Sequence, residues 1–186
     1  DAVGVNIPVV IVPQKNLFTR FEGKVDGVIG YDLFSRFEVE ISPGNKKVVL
    51  QAAEAYVYRE NFTDIKIKVI DCKPVAQSFI NIHGSEEALE LMIDTGSSLE
   101  LLIKVTDPKK ITKYQVENLG VGLNGNINGV QTISDKLVVG NLALTHLQTG
   151  LMISEWHNYG SLGMQKLKHY IIVINYLKEK ISIKPA

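Results

Sequence analysis

The residues best suited to chemistry in this chain lie in LMIDTGSSLE, 91–100. Three apolar residues run into Asp94, and Thr95, Gly96 and two serines follow at once. A carboxylate at a strand end, with a small hydroxyl residue and a glycine behind it, sits among backbone N–H groups that can bond it. Gly96 lets the chain come close without a Cβ clash. The Thr95 and Ser97 hydroxyls can bond backbone or carboxylate and fix the geometry. One such carboxylate alone is a weak base. Two that face each other share a proton, because like charges roughly 3 Å apart cannot both ionise. One of the pair then deprotonates a water while the other donates a hydrogen bond to a peptide carbonyl, and an amide is hydrolysed without a covalent intermediate. The plainer reading of the same letters is a β-turn in which Asp94 caps a bend and Gly96 supplies a positive φ.

Either reading needs a sheet to hold the turn, and the chain reads as β-rich. Apolar residues alternate with polar ones at Phe37, Val39 and Ile41 and again at Ile65, Ile67 and Val69. Turn signals are dense: Pro43-Gly44-Asn45, His83-Gly84, Asn124-Gly125, Asn128-Gly129 and Gly140-Asn141. Helical patterns are few; Leu33, Phe34 and Phe37, then Met164, Leu167 and Tyr170, each predict about two turns. At 186 residues the chain can form one large domain or two small ones. Twenty basic and twenty acidic residues cancel, so no net field favours nucleic acid or an anionic membrane, and no apolar run reaches the length of a membrane span. Cys72 is the single cysteine, and the four histidines show no metal-ligand spacing, so neither a disulfide nor a metal or other cofactor is expected. Asp1 is not an initiator methionine, and the chain is expected to belong to a longer polypeptide.

The two short helices belong to a repeat. DGVIGYDLFSRFEVEISPGNKKVVL, 26–50, aligns without gaps on YGSLGMQKLKHYIIVINYLKEKISI, 159–183, at an offset of 133. Gly27 falls on Gly160 and Gly30 on Gly163, and each copy reads as glycine, two residues, glycine, short helix, strand, polar turn, strand. Subtracting the offset from Asp94 lands roughly 40 residues before Asp1, so the first copy is expected to lack its front half. Residues 1–52 are then the back end of one lobe and 53–186 a complete second lobe.

LMIDTGSS resembles the active-site segment of aspartic proteases of the pepsin and retropepsin type. In that fold an apolar-apolar-Gly segment threads past the aspartate loop before a short helix, and GSLGMQKL (160–167) is similar, with Ser161 departing from the apolar pattern. The stretch 119–147 is similar to the flap hairpin that closes over substrate, and VDGVIGYDLFSRFEVEI resembles the end of the first lobe in two-lobed bacterial aspartyl proteases. The resemblance implies an all-β acid-protease fold with one complete lobe and the C-terminal part of a preceding one. It implies Asp94, Thr95 and Gly96 as the catalytic turn, and Ser97, Gly122, Asn124 and Gly125 as residues that contact a peptide or unfolded polypeptide substrate. It also implies a periplasmic or secreted location. GVGLNG, 120–125, matches a dinucleotide fingerprint letter for letter, but an Asn-Gly break and alternating apolar residues follow it where that site needs a helix.

No second aspartate of the chain precedes Thr-Gly or Ser-Gly. The partner carboxylate is therefore expected from a missing N-terminal half-lobe or from a second subunit, and the chain by itself is expected to be inactive. The other function to weigh is a non-catalytic peptide-binding domain of the same fold.

Overall fold

A computed structural model describes residues 27–55, 59–105, 115–122, 125–152 and 159–186. These residues form an all-β protein with two one-turn helices, and no helix is long and apolar enough to cross a membrane. In chain order the elements are α1 (Tyr31–Phe34), β1 (Phe37–Ser42), β2 (Lys47–Ala52), β3 (Thr63–Lys66), β4 (Lys68–Ile70), β5 (Lys73–Ile82) and β6 (Ser85–Asp94). After the aspartate come β7 (Leu101–Lys104), β8 (Glu117–Gly122), β9 (Gly125–Val139), β10 (Leu142–Met152), β11 (Gly160–Gly163), α2 (Met164–Leu167), β12 (Tyr170–Asn175) and β13 (Lys180–Pro185).

The repeat reappears as structure. Adding 133 to the bounds of α1, β1 and β2 gives those of α2, β12 and β13 without a residue of slippage. The helices are half the length expected. Gly30 and Gly163 start them, Ser35 and Lys168 close them, and Phe37 and Tyr170 already lie in the strands that follow. The apolar spacing that looked helical straddles a helix–strand junction.

The copies meet in a five-stranded sheet ordered β2-β1-β12-β13-β3, where β1 and β12 run antiparallel. The alternation in β1 buries Val39 on one side, but the polar side is not solvated: Glu38, Ser42, Asn175 and Ser182 are buried as well. Buried polar groups need partners. Glu38 has them on both oxygens, from Arg59 at 2.7 Å and Asn175 at 2.9 Å, while Arg59 also reaches Glu40 at 2.8 Å. The same Asn175 amide donates to the Ala53 carbonyl at 2.9 Å, so one cluster ties β1, β12 and the chain leaving β2.

The second sheet is ordered β4-β5-β6-β11-β7-β10-β9-β8, and a further β5–β9 pairing closes six of its strands into a barrel. Leu91, Leu101, Leu137, Leu147 and Leu162, each 0–1% exposed, fill it. The same apolar cluster continues through Ile65 and Ile67 into Ile172, Ile174, Ile181 and Ile183 of the five-stranded sheet, so the two sheets share one core. His83-Gly84 and Gly140-Asn141 are turns, with positive φ at His83, Gly84 and Gly140, as their sequences require. Asn128-Gly129 is not a turn. It lies inside β9, where a Cβ on Gly129 would overlap the Leu151 carbonyl of β10 and press on Leu119 at 2.7 Å; that glycine serves close packing.

Candidate active site

Asp94 is the last residue of β6, and the reason the chain turns there is topological. β6 and β7 are consecutive along the chain but are not neighbours in the sheet; β11 runs between them, parallel to β6 and antiparallel to β7. The turn after Asp94 must therefore arch over the end of an intervening strand. Gly163 sits opposite Asp94 in the parallel pairing, which places the strand end directly under the arch.

Three backbone hydrogen bonds fasten the two together. The N–H groups of Gly163, Met164 and Gln165 donate to the carbonyls of Glu100 (2.9 Å), Ser97 (2.7 Å) and Leu99 (3.3 Å). They meet needs on both sides: the first N–H groups of a helix have no acceptor within it, and the arch carbonyls have no strand partner. Such an approach leaves no room for side chains. A Cβ on Gly163 would overlap the Leu99 carbonyl oxygen and stand 2.9 Å from Ser97 Oγ, and one on Gly160 would stand 2.7 Å from the Leu102 carbonyl oxygen. Both glycines of GSLG are thus required by packing, at φ values that other residues adopt freely (−107° for Gly163).

Within the arch the carboxylate is held by backbone. Asp94 Oδ1 accepts the Gly96 N–H at 2.9 Å, and the Asp94 carbonyl accepts the Ser97 N–H at 3.2 Å. Ser97 Oγ accepts the Leu99 N–H at 3.2 Å, which is the hydroxyl-to-backbone bond its sequence position offers. Thr95 is half-buried beside it. Gly96 has no positive φ; a Cβ there would sit 3.3 Å from Asp94 Oδ1 and press the carboxylate by a few tenths of an ångström. The bend-capping reading, which asked Gly96 for a left-handed backbone, is overturned on that point.

Burial pushes the Asp94 carboxyl above the usual carboxylate range, and the Gly96 and Ser97 N–H groups pull it part of the way back. No second carboxylate among the described residues contributes to that shift. The arrangement favours a carboxyl that keeps its proton longer than a solvated aspartate does, which suits a proton-sharing pair. The neighbourhood extends to Tyr176, whose phenol is pushed up to about 12 by burial and then by negative charge on Tyr31, Cys72 and Asp94. The Tyr31 and Tyr176 rings meet edge to face at 5.3 Å, so the first-copy helix α1 reaches this side of the molecule.

The glycine-rich stretch forms the expected hairpin: β8 pairs antiparallel with β9, and Gly122 pairs with Gly125 at its tip. Asn124, also expected to touch substrate, lies outside the described residues, as does Leu123. Among the described residues no helix follows the GVGLNG letters: Gly120–Gly122 end β8 and Gly125 begins β9. The hairpin reaches the arch partway along its length, where Leu99 and Ile127 pack on the cluster of Leu102, Leu119 and Met152 and Leu99 comes within 3.9 Å of a Cβ built on Gly120. Ser97 and the hairpin are thereby joined through Leu99.

Sequence reasoning missed Glu100. Its carboxylate accepts the Gln148 N–H of β10 at 2.7 Å and pairs with Lys166 of α2 at 3.6 Å, which pins the far end of the arch. No spacing rule marks that residue; the contact comes from two elements distant in sequence.

No family model matches the chain, and no curated protein matches it. Among solved structures it is similar to the crystal structure of a retropepsin-like aspartic protease from Rickettsia conorii, at 16% identity and a TM-score of 0.47, over 69% of this chain and 96% of that one.

Proposed function

We propose that this chain carries one half of the catalytic acid pair of an aspartic endopeptidase. The observation that carries the reading is a half-buried carboxyl at a strand end, tethered by backbone N–H groups and disposed by burial to hold its proton above the usual carboxylate range. Asp94 then takes one of two roles, base toward water or donor toward the scissile carbonyl, while its partner takes the other. Thr95, Gly96 and Ser97 keep the turn in place. An extended peptide lies across the acid beneath the β8–β9 hairpin, where Gly122, Asn124 and Gly125 meet it through backbone groups, in the manner of an added strand. The second carboxyl comes from outside residues 1–186. Residues 1–52 are the end of one lobe and 53–186 the whole of another, a division that the recurrence of α1-β1-β2 as α2-β12-β13 supports.

The test is a peptide whose scissile bond is replaced by a tetrahedral hydroxyl group, which imitates the hydrated amide. Calorimetry on the protein joined to its second acid should show tight binding that Asp94→Asn weakens by at least about 100-fold, a loss of roughly 2.7 kcal/mol. Equal binding by both proteins ends the reading, and equal binding together with tight binding of the unmodified peptide favours a non-catalytic peptide-binding domain.

A further inference from the structure

The outer face of the barrel carries a patch that the acid site does not use. β5 runs through its middle, paired with β6 on one side and β9 on the other, and β10 lies beyond β9. Side chains alternate between the faces of a strand. The inward members here are buried: Ser78 and Ile80 in β5, Leu137 and Val139 in β9, Leu144 in β10. The residues between them face outward, and the register sets them in rows across the strands. One row reads Ala88, Phe79, Val138 and Ala143, apolar throughout, with the Phe79 ring 52% exposed. The next row reads Glu86, Asn81, Lys136 and Thr145. Glu86 and Lys136 are exposed, stand on opposite sides of β5, and have no ion-pair partner among the described residues. On the other side of the apolar row Glu90 pairs across to Gln77, so the β6 side carries a second acid.

An apolar row flanked by acid on one side and base on the other is complementary to itself under one rotation. A two-fold axis lying in the plane of contact and running along β5 exchanges left with right and keeps each row at its own height. It brings Lys136 over Glu86 of a second copy, Glu86 over Lys136 of that copy, and the two Phe79 rings together at the centre. An axis across the strands would instead set Glu86 against Glu90 of the second copy, acid against acid. Charge therefore selects the first axis and the register of the pair. Addition of a strand at this place is closed off, since β5 is already paired on both edges.

We propose that this face joins two copies of the protein in an isologous pair, with Phe79 at its centre and two Glu86–Lys136 ion pairs at its rim. Strand spacing and rise make the patch roughly 300–400 Å² per copy. That is about half of what each side of a standard interface buries, so the pair is weak and reversible. Ala88 precedes Asp94 by six residues of β6, about 20 Å of strand, so the pairing leaves the arch uncovered. It stands independently of the proposed acid pair.

The test is sedimentation equilibrium of the protein extended upstream of residue 1 by its natural sequence, at concentrations up to about 1 mM. The protein carries Asp94→Asn, so that self-cleavage does not enter the readout. A reversible dimer is expected. Lys136→Glu alone and Glu86→Lys alone each turn two attractions into two repulsions, and each should weaken the dimer at least about 10-fold. An equimolar mixture of the two single variants should restore it as a heterodimer, and the double variant should restore it as a homodimer. Phe79→Ser should weaken it with the charges intact. A protein that stays monomeric at the highest concentration overturns the proposal. So does a dimer that both charge changes leave unmoved, which would mean that another surface joins the copies. Single variants that weaken the dimer but fail to rescue each other overturn the axis along β5 and the pairing with it.

Discussion

Replacing Gly163 with alanine, beside the same change at Gly30, isolates the contact on which the geometry of Asp94 depends. Both glycines begin one-turn helices at negative φ, −107° and −136°, so the loss of a glycine at the helix start is common to the two changes, although Gly30 departs in ψ (−142°) from the extended conformation of Gly163. What differs is the space. The new methyl at position 163 overlaps the Leu99 carbonyl and crowds Ser97 Oγ at 2.9 Å, whereas at position 30 it touches nothing among the described residues. Overpacking of this kind costs about 1–3 kcal/mol. Lifting the arch also loosens the Met164–Ser97 and Gln165–Leu99 hydrogen bonds, at about 1 kcal/mol each. The sum is about 3–5 kcal/mol, which in a chain of this size lowers Tm by roughly 6–20 °C. Gly30→Ala should stay within about 0.5 kcal/mol of the parent once the shared helix-start effect is removed. Thermal unfolding followed by circular dichroism measures both. Equal shifts for the two variants would mean that the arch is not seated on Gly163, and the account of why Asp94 is held would fail.

Two titrating groups give opposite pH responses. The folded Asp94 carboxyl lies above its ordinary value of 3.8, so its contribution to stability is present below that value and is lost as pH rises through the folded one. Asp94→Asn should therefore be more stable than the parent at pH 7, with the difference vanishing below pH 3.8 in urea titrations. Glu38 behaves in the other sense. Burial pushes its carboxyl up, but hydrogen bonds from Asn175 and Arg59 and the charge of Arg59 outweigh this and hold it below the ordinary 4.5. Its stabilisation is present above pH 4.5 and is lost as pH falls through the lowered value, which acid unfolding curves of Glu38→Gln against the parent should show. Arg59→Met leaves Glu38 buried without its cation and should destabilise by about 3 kcal/mol at pH 7, with a smaller penalty in acid, measured by the same titrations.

The sequence announced the all-β class because β-branched alternation and Gly/Asn turns are local signals. The repeat was legible for the same reason, since each copy is a continuous run whose pattern of residue classes survives low identity. Helix lengths were not legible: Phe37 and Tyr170 satisfy helical spacing, yet hydrogen bonding to a neighbouring strand takes them. The buried polar face of β1 was equally hidden, because Glu38 is satisfied by Arg59 and Asn175, 21 and 137 residues away. Asp94, Gly96 and Ser97 could be singled out because the turn is written in adjacent letters. Glu100 and the need for Gly160 could not, since the first depends on β10 and α2 and the second on a strand threaded between two others.

The central claim is that the acid at position 94 works only as one of two. Its most direct test is the rate at which the upstream-extended protein cleaves an unfolded polypeptide, with and without Asp94→Asn, followed by mass spectrometry across acid and neutral pH. Cleavage by the parent and a fall of at least about 1,000-fold in the variant, with the circular dichroism spectrum unchanged, is the predicted result. Turnover that survives the substitution would contradict it.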